Sequence, residues 1–237
     1  MTTTSPERPP LLERFSDGSA KTSAATAYTT IKARILDNTY GSNMTVTVQG
    51  LVDELGMSRT PIRDALIRLE QERFVEITPR HGFRVLPLRP EEMLNIYQLV
   101  AGLECIAIRL IVERGIRDDE IAGLRAAGAA MRQALTDDDL DAWSHADAAF
   151  HRMLVDFCDN PVLRQAALDH TEQIWRARDL TLRLRKRPVQ STESHCETIE
   201  AMATGDAERA ASVHWQQRRR SSHELTDILE RLNIRQL

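Results

Sequence analysis

At 237 residues, 42% hydrophobic and 28% charged, the chain is long enough to bury one or two ordinary cores and too apolar to be a disordered protein. A formal net charge of -4 excludes a protein that coats nucleic acid through its overall charge, so any affinity for DNA has to come from a local patch. Cys105, Cys158 and Cys196 are odd in number and widely spaced, which excludes a disulfide framework and favours buried free thiols.

Taken in chain order, residues 1–24 are rich in Thr, Ser, Pro and Ala without periodicity and predict a mobile arm. They lack the apolar core of a signal peptide, and no apolar run is expected to approach the roughly 20 residues of a membrane span, so the expected location is cytoplasmic, without a membrane. Residues 25–86 predict a winged helix-turn-helix. Tyr28, Ile31, Ile35 and Leu36 give an amphipathic entry helix. Leu51 to Leu55 is a short apolar helix closed by Gly56, where a left-handed backbone is wanted. Ser58 then caps a second helix whose Ile62, Ala65, Leu66 and Leu69 recur at helical spacing, while Thr60, Arg63, Asp64 and Arg68 lie on or towards the other face. Phe74 to Thr78 and Phe83 to Leu86 are β-prone runs around Pro79, Arg80, His81 and Gly82, the pattern of a hairpin. Gly82, placed at its tip, is expected to allow a positive backbone angle and a close approach to DNA.

Residues 87–90 form a short linker bracketed by Pro87 and Pro90. From 91 to 237 only helical patterns are read: Glu91 to Arg114, Asp118 to Leu135, Asp139 to Cys158, Pro161 to about Arg185, Thr192 to Thr204 and Asp206 to Leu232. Pro90 and Pro161 mark starts, Asp118 and Asp206 are candidate N-caps, and Gly115 and Gly205 mark ends. The expected fold class is therefore mainly α: a winged helix-turn-helix with a small β-hairpin, followed by an all-helical antiparallel bundle.

The run MSRTPIRDALIRLEQERFVEITPRHGFRV resembles the DNA-binding domain of the GntR regulators. The resemblance implies that Gln49, Ser58, Arg59, Thr60, Arg63, Arg80, His81 and Gly82 meet DNA, with Arg59 and Arg63 one turn apart at a helix start that also attracts phosphate. The stretches LECIAIRLI, DAAFHRMLVDFCDNPVL and SHCETIEAMATGDAERAASVHW are similar to the FCD-type effector domain of the FadR subgroup. That implies a helical bundle that holds a small molecule and forms much of a homodimer interface.

Asp147 and His151, four residues apart on one helix, project from the same face and can ligate one ion; the alternative is a surface hydrogen-bonded pair. The resemblance adds His195 as a third ligand of a divalent ion such as zinc, nickel or manganese. Where the family places a last histidine this chain has Gln217, with His214 one turn earlier, and either is a candidate fourth ligand. Val100 stands where the family often has an arginine. His145, His170 and His223 are expected to be ordinary surface or core polar residues. Arg183, Arg185, Lys186 and Arg187 are expected to form a solvated face at a helix end. Trp143, Trp175 and Trp215 are open between an effector pocket and plain core.

The function expected from this pattern is a homodimeric, ligand-responsive transcription regulator, not an enzyme. It would be a repressor released from an inverted-repeat operator by an organic acid. The competing readings are a metal-dependent hydrolase on Asp147, His151 and His195, and a DNA-binding protein whose helical half only dimerises.

Overall fold

The computed structural model describes residues 23–78 and 82–234, in two compact units, residues 1–87 and 88–237. Arg80 and His81 lie outside the described residues.

The first unit runs α1 (Ser23–Leu36), β1 (Thr45–Val46), α2 (Val48–Leu55), α3 (Arg59–Gln71), β2 (Val75–Thr78) and β3 (Gly82–Val85). Its sheet has the order β1-β3-β2, so the expected hairpin gains a third strand, too short to show an alternating pattern in the sequence. Thr47 caps α2 by accepting the Gly50 N–H, and Gly56 ends it at φ 64° with its N–H on the Val52 carbonyl. Ser58 has the extended backbone of an N-cap, yet its side chain makes no capping hydrogen bond. Ile31, Ile35, Leu51, Ile62, Leu66, Leu69, Phe83 and Val85 form one buried core. Across it Lys32 is ion-paired with Glu72, which also accepts from Tyr28 Oη at 2.6 Å, and the Arg68 guanidinium lies 3.8 Å from the centre of the Tyr28 ring.

Gly82 does have a positive φ, 106°, but the close approach it permits is internal. It is the first residue of β3, buried and paired with Thr78 rather than standing at a free tip. A Cβ there would collide with the Val46 carbonyl oxygen and lie 2.7 Å from Thr47 Cα. The glycine lets β3 pass β1, an internal requirement beside the approach to DNA expected of it.

The second unit consists of α4 (Pro90–Arg114), α5 (Asp118–Thr136), α6 (Leu140–Asp156), α7 (Pro161–Thr181) with a 3-10 turn at Leu182–Leu184, α8 (Val189–Ala203) and α9 (Ala207–Ile234). Asp206 accepts from Arg209 N as an N-cap should. Asp118 is instead the first helical residue, because Glu120 reaches back to the Arg117 N–H and moves the cap by one position. Helices α4 and α9 run antiparallel, since Glu104 meets Arg218, Cys105 meets Ala211 and Arg109 meets Glu208, rising on one helix and falling on the other.

Helix α4 bears on the expected absence of a membrane span. Its 25 residues, with a mean hydropathy of 1.5 over the most apolar window, are long and apolar enough to cross a membrane by length and composition. Half of that window is buried inside the bundle, and Glu104 sits in it with an ion-paired cation, as in the core helix of a bundle. Two apolar clusters flank that position: one around Ile108, Met131, Trp143, Phe150 and Ala211, the other around Tyr97, Val100, Ile174 and Leu225. On α4 and α9 the polar residues fall between them in chain order, so the bundle carries a polar layer between two apolar ones.

Candidate DNA interface and buried metal centre

The solvent face of the first unit is set by the period of α3. With Ile62, Ala65, Leu66 and Leu69 turned inward, Arg59, Thr60 and Arg63 are left exposed, as are Ser58 before them and Gln49 on α2. Most cations of the unit are already committed: Lys32 to Glu72, Arg34 to Glu54 and Tyr40, Arg68 to Glu72, and Arg84 to Glu76. Arg59 instead donates to the Gln49 amide oxygen at 2.7 Å, and Gln49 in turn donates to Asp53, a light tether that fixes the side chain without neutralising it. Arg63 has no partner among the described residues. Two arginines without a carboxylate therefore stand one turn apart where α3 begins and where its unpaired amides add positive potential.

In the second unit the chemistry lies inside. Asp147 and His151 share the inward face of α6, with Asp147 at 0% and His151 at 6% exposure, so the surface-pair alternative is excluded. His195 of α8, fully buried, meets Asp147 Oδ1 at 3.1 Å through Nε2. His151 Nε2 is 3.8 Å from Asp147 Oδ2, and Arg178 of α7 is ion-paired with that same oxygen. One ligand atom each from Asp147, His151 and His195 fits within 4.8 Å.

A second group faces the other side of His151. Its Nδ1 lies 3.2 Å from Glu104 Oε1, while His214 Nε2 lies 2.8 Å from Oε2. Arg218 grips the same carboxylate with two hydrogen bonds of 2.6 Å. Gln217, one residue before Arg218, donates its amide to Ser191 at 2.8 Å and to Ser221 at 2.9 Å, leaving Oε1 buried without a partner. Both nitrogens of His151 and the Nδ1 atoms of His195 and His214 are likewise buried without a hydrogen bond.

Electrostatics follow from burial and the two arginines. Burial alone would raise the Glu104 carboxyl, but Arg218 first and His151 next hold it well below the usual carboxylate range. Asp147 is lowered despite its burial, chiefly by Arg178. Burial and the nearby Arg218 push the His151 imidazole down to about 3, and burial lowers His195 against its bond to Asp147. Both imidazoles are therefore neutral with lone pairs to offer, the state a metal ligand requires.

The structure thus brings Asp147, His151 and His195 together and buries both candidate fourth ligands nearby. His214 meets Glu104 through Nε2 and, with Glu104 and His151, forms a second group close enough to share an ion, whereas Gln217 keeps an unpartnered amide oxygen. Glu104, Arg178 and Arg218 were not read from the sequence. Val100, where an arginine was awaited, is packed in the second apolar cluster. Trp143 both packs in the core and lines a cleft beside Arg178, Trp175 borders a water-sized cavity next to His151, and Trp215 is 40% exposed on the surface. Arg185, Lys186 and Arg187 line that same cleft, so the run read as a solvated face is only partly one; Arg183 pairs with Asp141.

Comparison with known proteins agrees with this division. A description of bacterial regulatory proteins of the gntR family matches residues 23–85, and that of the FCD domain matches residues 95–217. The chain is 34% identical to an HTH-type transcriptional regulator in the TAR-I ttuE-ttuC' intergenic region of Agrobacterium vitis, over 62% of this chain and 87% of that one. It is 26% identical to the HTH-type transcriptional repressor GlaR of Escherichia coli, over 58% of this chain and 64% of that one. The fold is shared with E. coli McbR/YncC, at a TM-score of 0.70, 19% identity and coverage of 90% of this chain and 100% of that one. It is also shared with a GntR regulator from Rhodococcus, at 0.69, 15% identity, and coverage of 85% and 96%.

Proposed function

The chain belongs to the GntR family of bacterial regulatory proteins, with an FCD domain after its winged unit, and is a DNA-binding transcription regulator rather than an enzyme; from this premise we propose how it reads DNA and what it senses. It acts as a homodimeric cytoplasmic repressor that leaves an inverted-repeat operator when a small organic acid binds the helical unit. The observation that carries the reading head is the pair Arg59 and Arg63, exposed and without carboxylates at the start of α3. With α3 in the major groove, such side chains reach guanine edges bidentately while the helix start holds phosphate. The apolar strip of Leu99 and Ile106 on α4, each 48% exposed, supports pairing of two helical units. Acid binding to one of two arrangements of the dimer shifts the separation of the two heads and hence operator affinity.

Replacing Arg63 by Ala should weaken operator binding by about 1 to 3 kcal/mol and relax base preference at one position of each half-site. An Arg59→Ala, Arg63→Ala double variant with unchanged affinity and footprint in a DNase protection assay defeats this docking.

For the helical unit, the donor set fits a divalent ion. Burying neutral imidazoles and an amide oxygen without partners is costly, and here such atoms surround a carboxylate. Asp147, His151 and His195 would hold zinc, nickel or manganese, with Gln217 Oε1 as the fourth, weaker ligand. The ion supplies a Lewis-acid position for an effector carboxylate. Around it Glu104 and Arg218 orient His151 and His214, and the Ser191 and Ser221 hydroxyls hold the Gln217 amide. Elemental analysis of protein purified without chelator should find one ion per subunit, and His151→Ala should lose most of it together with the gain in melting temperature on metal addition. Full occupancy in that variant, or a wild type that cannot be loaded, defeats the assignment.

A further inference from the structure

The two exposed arginines at the start of α3 stand in different conditions. Arg63 has no partner among the described residues, whereas Arg59 Nη2 donates to Gln49 Oε1 at 2.7 Å and Gln49 Nε2 donates to Asp53 Oδ1 at 2.8 Å. Gln49 and Asp53 are four residues apart on α2, the spacing at which an amide and a carboxylate meet on one helix face. Their helix is itself held in place. Thr47 caps it by accepting from the Gly50 N–H, and Leu51 is buried in the same core as Ile62 and Leu66 of α3. The acceptor that meets Arg59 therefore stands on a fixed base.

The chemistry of this row permits a single order. Asp53 can only accept and Arg59 can only donate, so the amide between them turns its nitrogen to the carboxylate and its oxygen to the guanidinium. A lysine or arginine at 49 would repel Arg59, and a glutamate would cancel its charge. The amide holds the guanidinium and leaves it charged. One of five N–H donors is used, so the fork that matches the two acceptors of a guanine edge stays open. An arginine already held in place loses less freedom on meeting a base than a free one, and it cannot swing to accommodate a different base.

We propose that Gln49 is a positioning residue for DNA readout. Oriented by Asp53, it acts through Arg59 and makes the base that Arg59 reads the strictest position of each half-site, while Arg63 reads its base with more tolerance. In this role Gln49 needs no contact of its own with DNA. The proposal rests on the docking of α3 given above and names what sets its selectivity.

The test is selection from a randomised double-stranded DNA library by the full-length protein, followed by competition titrations with single-base variants of the selected site. Arg59→Ala and Arg63→Ala identify the position that each arginine reads. Gln49→Met, of similar length but without the acceptor, should lower discrimination at the Arg59 position about three- to tenfold, the effect of one lost side-chain hydrogen bond, and leave the Arg63 position unchanged. Asp53→Ala, which frees the amide to turn over, should act at the same position and less strongly. Gln49→Glu keeps an acceptor oxygen and should keep the preference while weakening affinity for every sequence, as an added negative charge beside phosphates does. In an Arg59→Ala background Gln49→Met should have no further effect. An effect that persists there, or one spread evenly over all positions in protein of native melting temperature, overturns the proposal. If Arg59→Ala erases a preference that Gln49→Met leaves intact, the docking stands and only the positioning role falls; if the Arg59→Ala, Arg63→Ala double variant selects the wild-type site with unchanged affinity, both fall.

Discussion

The winged unit keeps its reactive side chains, Gln49, Arg59, Thr60 and Arg63, in solvent and closes over a core that is apolar apart from Lys32. In the helical unit Asp147, His151, His195, His214, Glu104 and Arg218 are all at 6% exposure or less. Placing chemistry outside separates function from stability, since an exposed arginine can change without disturbing a core. Placing it inside couples the two: the ion pairs that set the positions of these side chains also hold the bundle together, so the proposed binding of an ion or effector there would be read as altered stability.

The contrast is open to attack at several points. The largest effect is expected from Glu104→Ala, which leaves Arg218 as a buried uncompensated charge and should cost the helical unit about 3 to 5 kcal/mol. The helical transition in a thermal or urea melt should move down while the winged unit unfolds as before, and a loss shared equally by both would show that they are not separate. In the winged unit the comparable weak point is a glycine rather than a charge. Gly82→Val should cost about 3 kcal/mol or more, because β-branched bulk meets the β1 backbone at a positive φ. Operator binding should then fall only in step with the folded fraction, and a well-folded variant that had lost DNA alone would place Gly82 at the interface as well.

A smaller effect separates the units by acidity. In the metal-free protein His151 and His195 sit below the free value of 6.5, so between that pH and about 3 the unfolded chain takes up protons that the folded one refuses. The helical unit should lose stability as the pH falls through that window. The ionisable pair inside the winged unit behaves later: Glu72, lowered against its burial by Lys32 and Tyr28, contributes stability above its free value of 4.5 and loses it only as the pH falls further. Hydrogen exchange near pH 5.5, about one unit below the free histidine value, should therefore show α6 and α8 opening more readily than at neutrality and α1 and α3 unchanged.

How much of this was legible follows from whether the relevant contacts are local. The α3 period, Gly56 and the two β runs are signals within a few residues, and the Asp147–His151 pair is visible from its spacing. The polar layer joins residues more than a hundred positions apart, as in Glu104 with His214 and Arg218, and no local pattern reports such a pair. A signal was present all the same. Tyr97, Val100, Glu104, Ile108 and Ile111 recur at steps of three and four, as do Ala211, His214, Arg218, Ser222 and Leu225, and all are buried. One charge of each sign, each in the middle of a buried stripe, is an invitation to pair them. The basic run after α7 misled because helix-end arginines are usually solvated, and only the return of the chain into α8 folds it around a cleft. Strand β1 has two residues and no alternation to detect.

The stack of Arg68 on Tyr28, joined by Lys32 through Glu72, has a bearing on regulation. It fastens the C-terminal end of α3 to α1, so α3 cannot roll or slide within the winged unit without breaking a partly buried ion pair and an aromatic contact together. A signal arriving from elsewhere in the molecule meets a stiff body. In the proposed response to an effector such a body would move as a single piece, a caliper whose jaws keep their shape while their opening changes.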